Sequence, residues 1–142
     1  MSFNLAVILS ETAGSSPDRP VAVFDGGQLS YRQLDQASDR LAAALAAAGV
    51  ESGDPVALQL PNIPQFLISY FGILKAGGVV VPLNVLLRAP EIAFHLGDSG
   101  ARILDTDHQG TVDHVGAQSQ PSLIRAPSQP MLDGILHERL HR

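Results

Sequence analysis

The chain contains no cysteine, which excludes a disulfide scaffold, a thiolate metal site and a cysteine nucleophile. Basic residues are scarce: 9 Lys and Arg stand against 14 Asp and Glu, for a net charge of −5. A protein that grips the nucleic-acid backbone would carry clustered Lys and Arg, so no nucleic-acid partner is expected. No Lys or Arg precedes Arg19, and the opening residues lack signal-peptide or transit-peptide character. Charged residues reach only 16%, yet a hydrophobic share of 45% belongs to a folding chain, not a disordered one. The 142 residues suit one domain, and a chain of that size buries roughly 68–70% of its unfolded surface. The expectation is a soluble, cytoplasmic protein.

A long uninterrupted apolar helix is also missing. Between Phe66 and Leu87 the only charge is Lys75, so a hydropathy window marks this stretch as a membrane span. Lys75 would then lie near mid-bilayer, at a cost of ~2.5–3.5 kcal/mol. Gly77, Gly78 and Pro82 break the run into pieces as well. A buried helix followed by a buried strand fits better, and no transmembrane segment is expected.

What is present divides near residue 104. All seven aromatic residues lie before that point. Residues 105–142 hold four of the five histidines, Pro121, Pro127 and Pro130, and little apolar mass. Such a segment can hardly offset its ordering entropy, so the tail is expected to be irregular, with a short helix from about Met131.

The first 104 residues read as alternating strands and helices. A helix over about Asn4–Ala13 would bury Leu5, Ile8 and Leu9, ending in the loop Gly14–Pro20. Val21–Asp25 reads as a strand that turns at Gly26-Gly27 into Gln28-Leu29. Ser30 and Gln33 form a capping box at the head of a helix whose apolar stripe is Leu34, Ala37, Leu41, Ala44, Leu45 and Ala48, with Gly49 as its C-terminal cap. Val56–Leu60 is a buried strand. Asn62 is the expected N-cap of an apolar helix running to Ala76, which Gly77-Gly78 ends. Val79–Val81 is a strand closed by Pro82, Glu91 to about Asp98 a helix with Pro90 in its first turn, and Ala101–Leu104 the last strand. This order implies an α/β fold, a mostly parallel sheet flanked by helices, with no internal repeat.

Several local motifs suggest chemistry. His137-Glu138-Arg139-Leu140-His141 fits H-E-x-x-H, in which two imidazoles bind zinc beside a general base. The motif stops one residue before Arg142, and a third ligand would have to come from His108 or His114, so no metal site is assigned. Gly72-Ile-Leu-Lys-Ala-Gly77-Gly78 has the elements of a phosphate loop in the wrong order. Its lysine lies between the glycines, no Ser or Thr follows, and it ends a helix instead of opening one. Neither G-x-G-x-x-G nor G-x-S-x-G occurs. His95 reads as a surface or locally satisfied histidine, and Lys75 as a side chain that snorkels to water. Asp25, Asp54 and Asp98 read as turn-associated carboxylates. No catalytic, cofactor-binding or metal-binding residue is assigned.

The ordered pieces resemble a known family. Leu29-Ser30-Tyr31-Arg32-Gln33-Leu34 is similar to the first core motif, L-[ST]-Y-x-E-L, of the AMP-forming adenylating enzymes. The run from Leu74 to Asn84 resembles their second, L-K-A-G-x-x-x-x-P-[IL]-[DN]. Gly53-Asp54-Pro55-Val56-Ala57 through Asn62 resembles the strand and turn between them, and Asp98-Ser99-Gly100-Ala101 a later turn. The resemblance covers about residues 5–104, and Asn84-Val85-Leu86-Leu87 leans toward fatty acyl-CoA ligases. It implies the opening part of an adenylate-forming domain, whose complete members join a carboxylate to ATP with Mg²⁺ and pass the acyl group to coenzyme A.

The family's Ser/Thr/Gly-rich loop ending in Pro-Lys, its ribose-binding Asp and its C-terminal-domain lysine have no counterpart here. The expectation is therefore a truncated acyl-CoA synthetase, an incomplete sheet, inactive by itself and using no cofactor alone, followed by an unrelated tail over 105–142. A change of reading frame near residue 104 would give this pattern. Exposed apolar surface then predicts poor solubility alone. The alternative is a non-catalytic module that pairs with a full-length relative, or one half of a split ligase completed by another chain.

Overall fold

The computed structural model describes residues 4–101, 103–106 and 122–125. The first helix, α1 (Ala6–Ser15), is held at its start by Asn4, whose Oδ1 accepts the Ala6 N–H at 2.9 Å. Its buried face is Ala6, Leu9 and Ala13, whereas Leu5, Val7 and Ile8 stay 43–49% exposed. The expected face of Leu5, Ile8 and Leu9 is therefore rotated. Apolar residues and the polar Ser10, Glu11, Thr12 and Ser15 are interspersed around the helix, so spacing alone selects no side, and the two alanines permit the closer approach.

Strands β1 (Pro20–Phe24) and β2 (Gly27–Ser30) form an antiparallel hairpin in which Phe24 pairs with Gly27. The turn is thus Asp25-Gly26, one residue earlier than expected. Gly26 takes a φ of 93°, the left-handed conformation that a two-residue hairpin turn favours.

The hairpin leads directly into α2 (Tyr31–Ala47) through the expected capping box. Gln33 N–H donates to Ser30 Oγ at 3.3 Å, and Ser30 N–H donates to Gln33 Oε1 at 2.9 Å. Leu34, Ala37, Ser38, Leu41 and Leu45 face inward, while Ala44 and Ala48 of the expected stripe are exposed. Gly49 (φ 90°) closes the helix: its N–H reaches Ala46 O, and the N–H of buried Val50 reaches Leu45 O. That pair of bonds satisfies two carbonyls of the last turn.

Then follow β3 (Pro55–Gln59), α3 (Pro64–Lys75), β4 (Val79–Pro82), α4 (Ala89–Ser99), β5 (Ile103–Thr106) and β6 (Ser122–Arg125). The four strands form one parallel sheet in the order β4-β3-β5-β6, as alternating strands and helices require. The α3 N-cap is Ile63, not Asn62. Pro64 fixes the first helical residue and forces Ile63 into extended backbone (φ −123°, ψ 161°). At α4 the Glu91 carboxylate accepts the Arg88 N–H at 2.9 Å, and Gly100 (φ 71°) ends the helix. Strand β6 lies inside the stretch read as irregular: Leu123 and Ile124, flanked by proline and polar residues, gave no strand periodicity, yet they pair with Leu104 and Asp105. The helix expected from Met131, His108, His114 and the H-E-x-x-H motif lie outside the described residues.

Three apolar clusters fill the fold. Leu41, Leu45, Val50, Val56, Leu58, Leu60 and Ile73 join α2 and α3 to one sheet face. Leu9, Leu29, Leu34, Ala37 and Ile68 bind α1 and the hairpin to the α2–α3 pair. Ala57, Leu96 and Ala101 seat α4 on the opposite face. Gly72 sets the α2–α3 spacing, since a β-carbon there would lie 2.8–2.9 Å from three atoms of Leu41. Among the described residues no helix is long and apolar enough to cross a membrane; the Phe66–Leu87 run is a helix, a turn and a strand.

Candidate functional site

In a parallel α/β sheet, ligands bind outside the carboxyl ends of the strands, where consecutive connections leave in opposite directions. That point lies between β3 and β5. From β3 the chain passes through α3 to β4 on one side; from β4 it returns through α4 past β3 to β5. The two helices cover opposite faces, because Val56, Leu58 and Leu60 pack toward α3 and Ala57 packs toward α4. Right-handed crossovers in opposite directions demand that arrangement.

Gln59 ends β3 at this edge, with 2% of its surface exposed. Its Nε2 donates to Asn84 O at 3.0 Å and to Leu87 O at 3.3 Å, holding the loop between β4 and α4. Asn84 Oδ1 accepts the Leu86 N–H at 2.9 Å and shapes the same loop. Between loop and α4 runs a groove of about 370 Å³, with Leu83, Leu87, His95 and Asp98 among its walls. Gln59 was not singled out in the sequence. The available signal was a polar residue inside the apolar run Val56–Leu60, since a buried side-chain amide needs partners.

Lys75 does not snorkel. Its side chain is only 10% exposed, and Nζ donates to Asp39 Oδ1 at 2.6 Å, to Asp35 Oδ1 at 2.7 Å and to Asp35 O at 2.9 Å. The two carboxylates come from successive turns of α2, so the ammonium is saturated by its own fold. The neighbouring glycines are committed too: Gly77 N–H donates to Leu74 O, and Gly78 N–H to Ile73 O. Gly77 has a φ of 82°, and a β-carbon on Gly78 would meet Ile73 Cγ2 at 3.1 Å and Asp54 O at 3.3 Å. One glycine supplies left-handed backbone and the other lets β4 start close beside β3. No donor remains for a phosphate at this helix C-terminus, where carbonyls point outward.

The other singled-out residues are dispersed. His95 lies on α4 with its ring edge-on to Phe94, and its carbonyl accepts the Ser99 hydroxyl at 2.7 Å. Asp25 sits in the hairpin turn, and Asp98 in the last turn of α4. The Asp54 carboxylate accepts the Glu51 N–H at 2.9 Å. Among the described residues no three His, Asp or Glu side chains come together to hold a metal ion.

A sequence model for the AMP-binding enzyme family matches residues 9–137, most of the chain. The chain belongs to that family. The match extends past residue 104 and takes in β6. A long-chain-fatty-acid–CoA ligase of Bacillus subtilis is 38% identical over 102 residues, covering 72% of this chain and 18% of that protein. A feruloyl-CoA synthase of an Amycolatopsis species is 40% identical over 118 residues, covering 82% of this chain and 23% of that one. The crystal structure of the N-terminal domain of FACL13 from Mycobacterium tuberculosis superposes with a TM-score of 0.76 at 31% identity, covering 96% of this chain and 36% of that one. The chain thus spans about a fifth of the length of the ligase and the synthase. Within that span it has the family's α/β architecture.

Proposed function

We propose that these residues form the opening scaffold of an acyl-CoA ligase, which activates a carboxylic acid as its adenylate and transfers the acyl group to coenzyme A. The observation that carries this reading is the match to a fatty-acid–CoA ligase over 72% of the chain. Lys75 and the following glycines support a structural role, since their donors are consumed within the fold. In this reading Gln59, the β4–α4 loop and α4 shape the carboxyl-edge crevice, and the groups that bind ATP, Mg²⁺ and coenzyme A come from other sequence. The chain by itself is then inactive, works in the cytoplasm and needs a complement, either another ligase fragment or a full-length relative. The 105–142 stretch is proposed as a segment apart from the first 104 residues, to which it adds β6.

The test is ATP–pyrophosphate exchange with a panel of fatty and aromatic acids. The 142-residue chain is assayed alone, then with the remaining portion of a related ligase expressed separately. No exchange alone and acid-dependent exchange in the mixture supports the proposal. Exchange by the chain alone overturns the assignment of the chemistry to other residues.

A further inference from the structure

We propose that Lys75, the only lysine in the sequence, is a latch that keeps α1 docked. Helix α1 contributes a single side chain, Leu9, to the Leu29, Leu34, Ala37 and Ile68 cluster, and its other buried residues are the alanines Ala6 and Ala13. So small an apolar contact makes the polar ties matter, and there are two. Asn4 Nδ2 donates to Leu74 O at 2.7 Å, and Ser10 Oγ donates to Asp35 Oδ1 at 3.1 Å.

One tie ends on Asp35, the direct partner of Lys75. The other ends on the carbonyl of Leu74, its chain neighbour in the last turn of α3, which also accepts the Gly77 N–H. The ammonium holds Asp35 and Asp39 together although they sit one turn apart on α2, where like charges repel. With the charge removed, Asp35 turns toward water and Ser10 loses its acceptor. The end of α3 also loses its anchor to Asp35 O, which loosens the carbonyl that Asn4 grips. The result is local: α1 lifts from its cluster while the sheet and the α2–α3 pair, which keep a second cluster of Leu41, Leu45, Val56, Leu58 and Ile73, stay closed. Charge at Lys75 thereby sets whether the Leu29–Leu34–Ile68 surface is covered.

Hydrogen exchange on the full chain, read by peptide, tests this. In Lys75→Met the amides of Ala6–Ser15 should exchange about tenfold faster while those of β3 change less than about twofold. Lys75→Arg, which keeps the charge, should restore α1 protection. Ser10→Ala, an exposed change that leaves the core untouched, should speed α1 alone by about fivefold. Unchanged α1 exchange in either Lys75→Met or Ser10→Ala overturns the proposal. So does loss of β3 protection together with that of α1 in Lys75→Met.

Discussion

Replacing Gly72 with alanine separates local preference from packing. In a helix interior alanine is favoured over glycine by about 1 kcal/mol, so propensity alone predicts a more stable protein. The packing says otherwise. The new methyl would lie 2.8 Å from Leu41 Cδ2 and 2.9 Å from both Cγ and Cβ. Rotating the Leu41 side chain clears the first two contacts but not the third, because Cβ is fixed to the α2 backbone. The helices must move apart, and Leu41 and Ile73 belong to the same cluster against the sheet. Overpacking of this kind costs about 1–3 kcal/mol, and a backbone-fixed overlap lies in the upper part of that range. The net expectation is a loss of about 1–2 kcal/mol.

Gly97 supplies the control. It lies within α4, and a β-carbon there meets nothing within 4 Å. Gly97→Ala should therefore gain up to about 1 kcal/mol. Urea unfolding followed by far-UV circular dichroism reads both variants, with an unchanged m-value confirming that stability alone has moved. The reasoning fails if Gly72→Ala stabilises the chain as much as Gly97→Ala.

Three further outcomes are expected. Ser30→Ala, which removes the hydroxyl that caps α2, should lower stability by about 1 kcal/mol in the same urea assay. Gly77→Ala should cost about 1–2 kcal/mol through its positive φ, with the contact to Ser52 at 3.3 Å adding to it, whereas Gly14→Ala, in open helical surroundings, should not destabilise. Gln59→Leu leaves the Asn84 and Leu87 carbonyls without their donor, so trypsin should cut after Arg88 roughly five- to tenfold faster.

Elements governed by neighbours in sequence were legible. The Ser30–Gln33 box, the Gly49 ending and the Gly77-Gly78 ending are each set by contacts within a few residues, and each stands as read. The misses follow from competition or distance. At α3 two start signals competed, and Pro64 prevailed over Asn62 because the proline ring dictates the backbone of the residue before it. In α1 apolar and polar residues interspersed around the helix left the buried face to be decided by how closely α2 and α3 could be approached. At the hairpin, the Phe24–Gly27 register selected Asp25-Gly26 over Gly26-Gly27.

The site was read least well, for a related reason. Lys75 lies 40 residues from Asp35 and 36 from Asp39, so no local spacing reveals its partners. Gln59 lies 25 and 28 residues from the carbonyls it holds. The family motif was recognisable, but its physical purpose needed the tertiary contacts: the lysine fastens two helices, and the glycines let a strand begin beside another.

The most direct test of that conclusion is equilibrium dialysis of the 142-residue chain against ATP with Mg²⁺. With the Lys75 ammonium and both glycine N–H groups consumed internally, no saturable binding is expected. Saturable binding that disappears in Lys75→Met would contradict the account and make the Gly72–Gly78 segment a phosphate site.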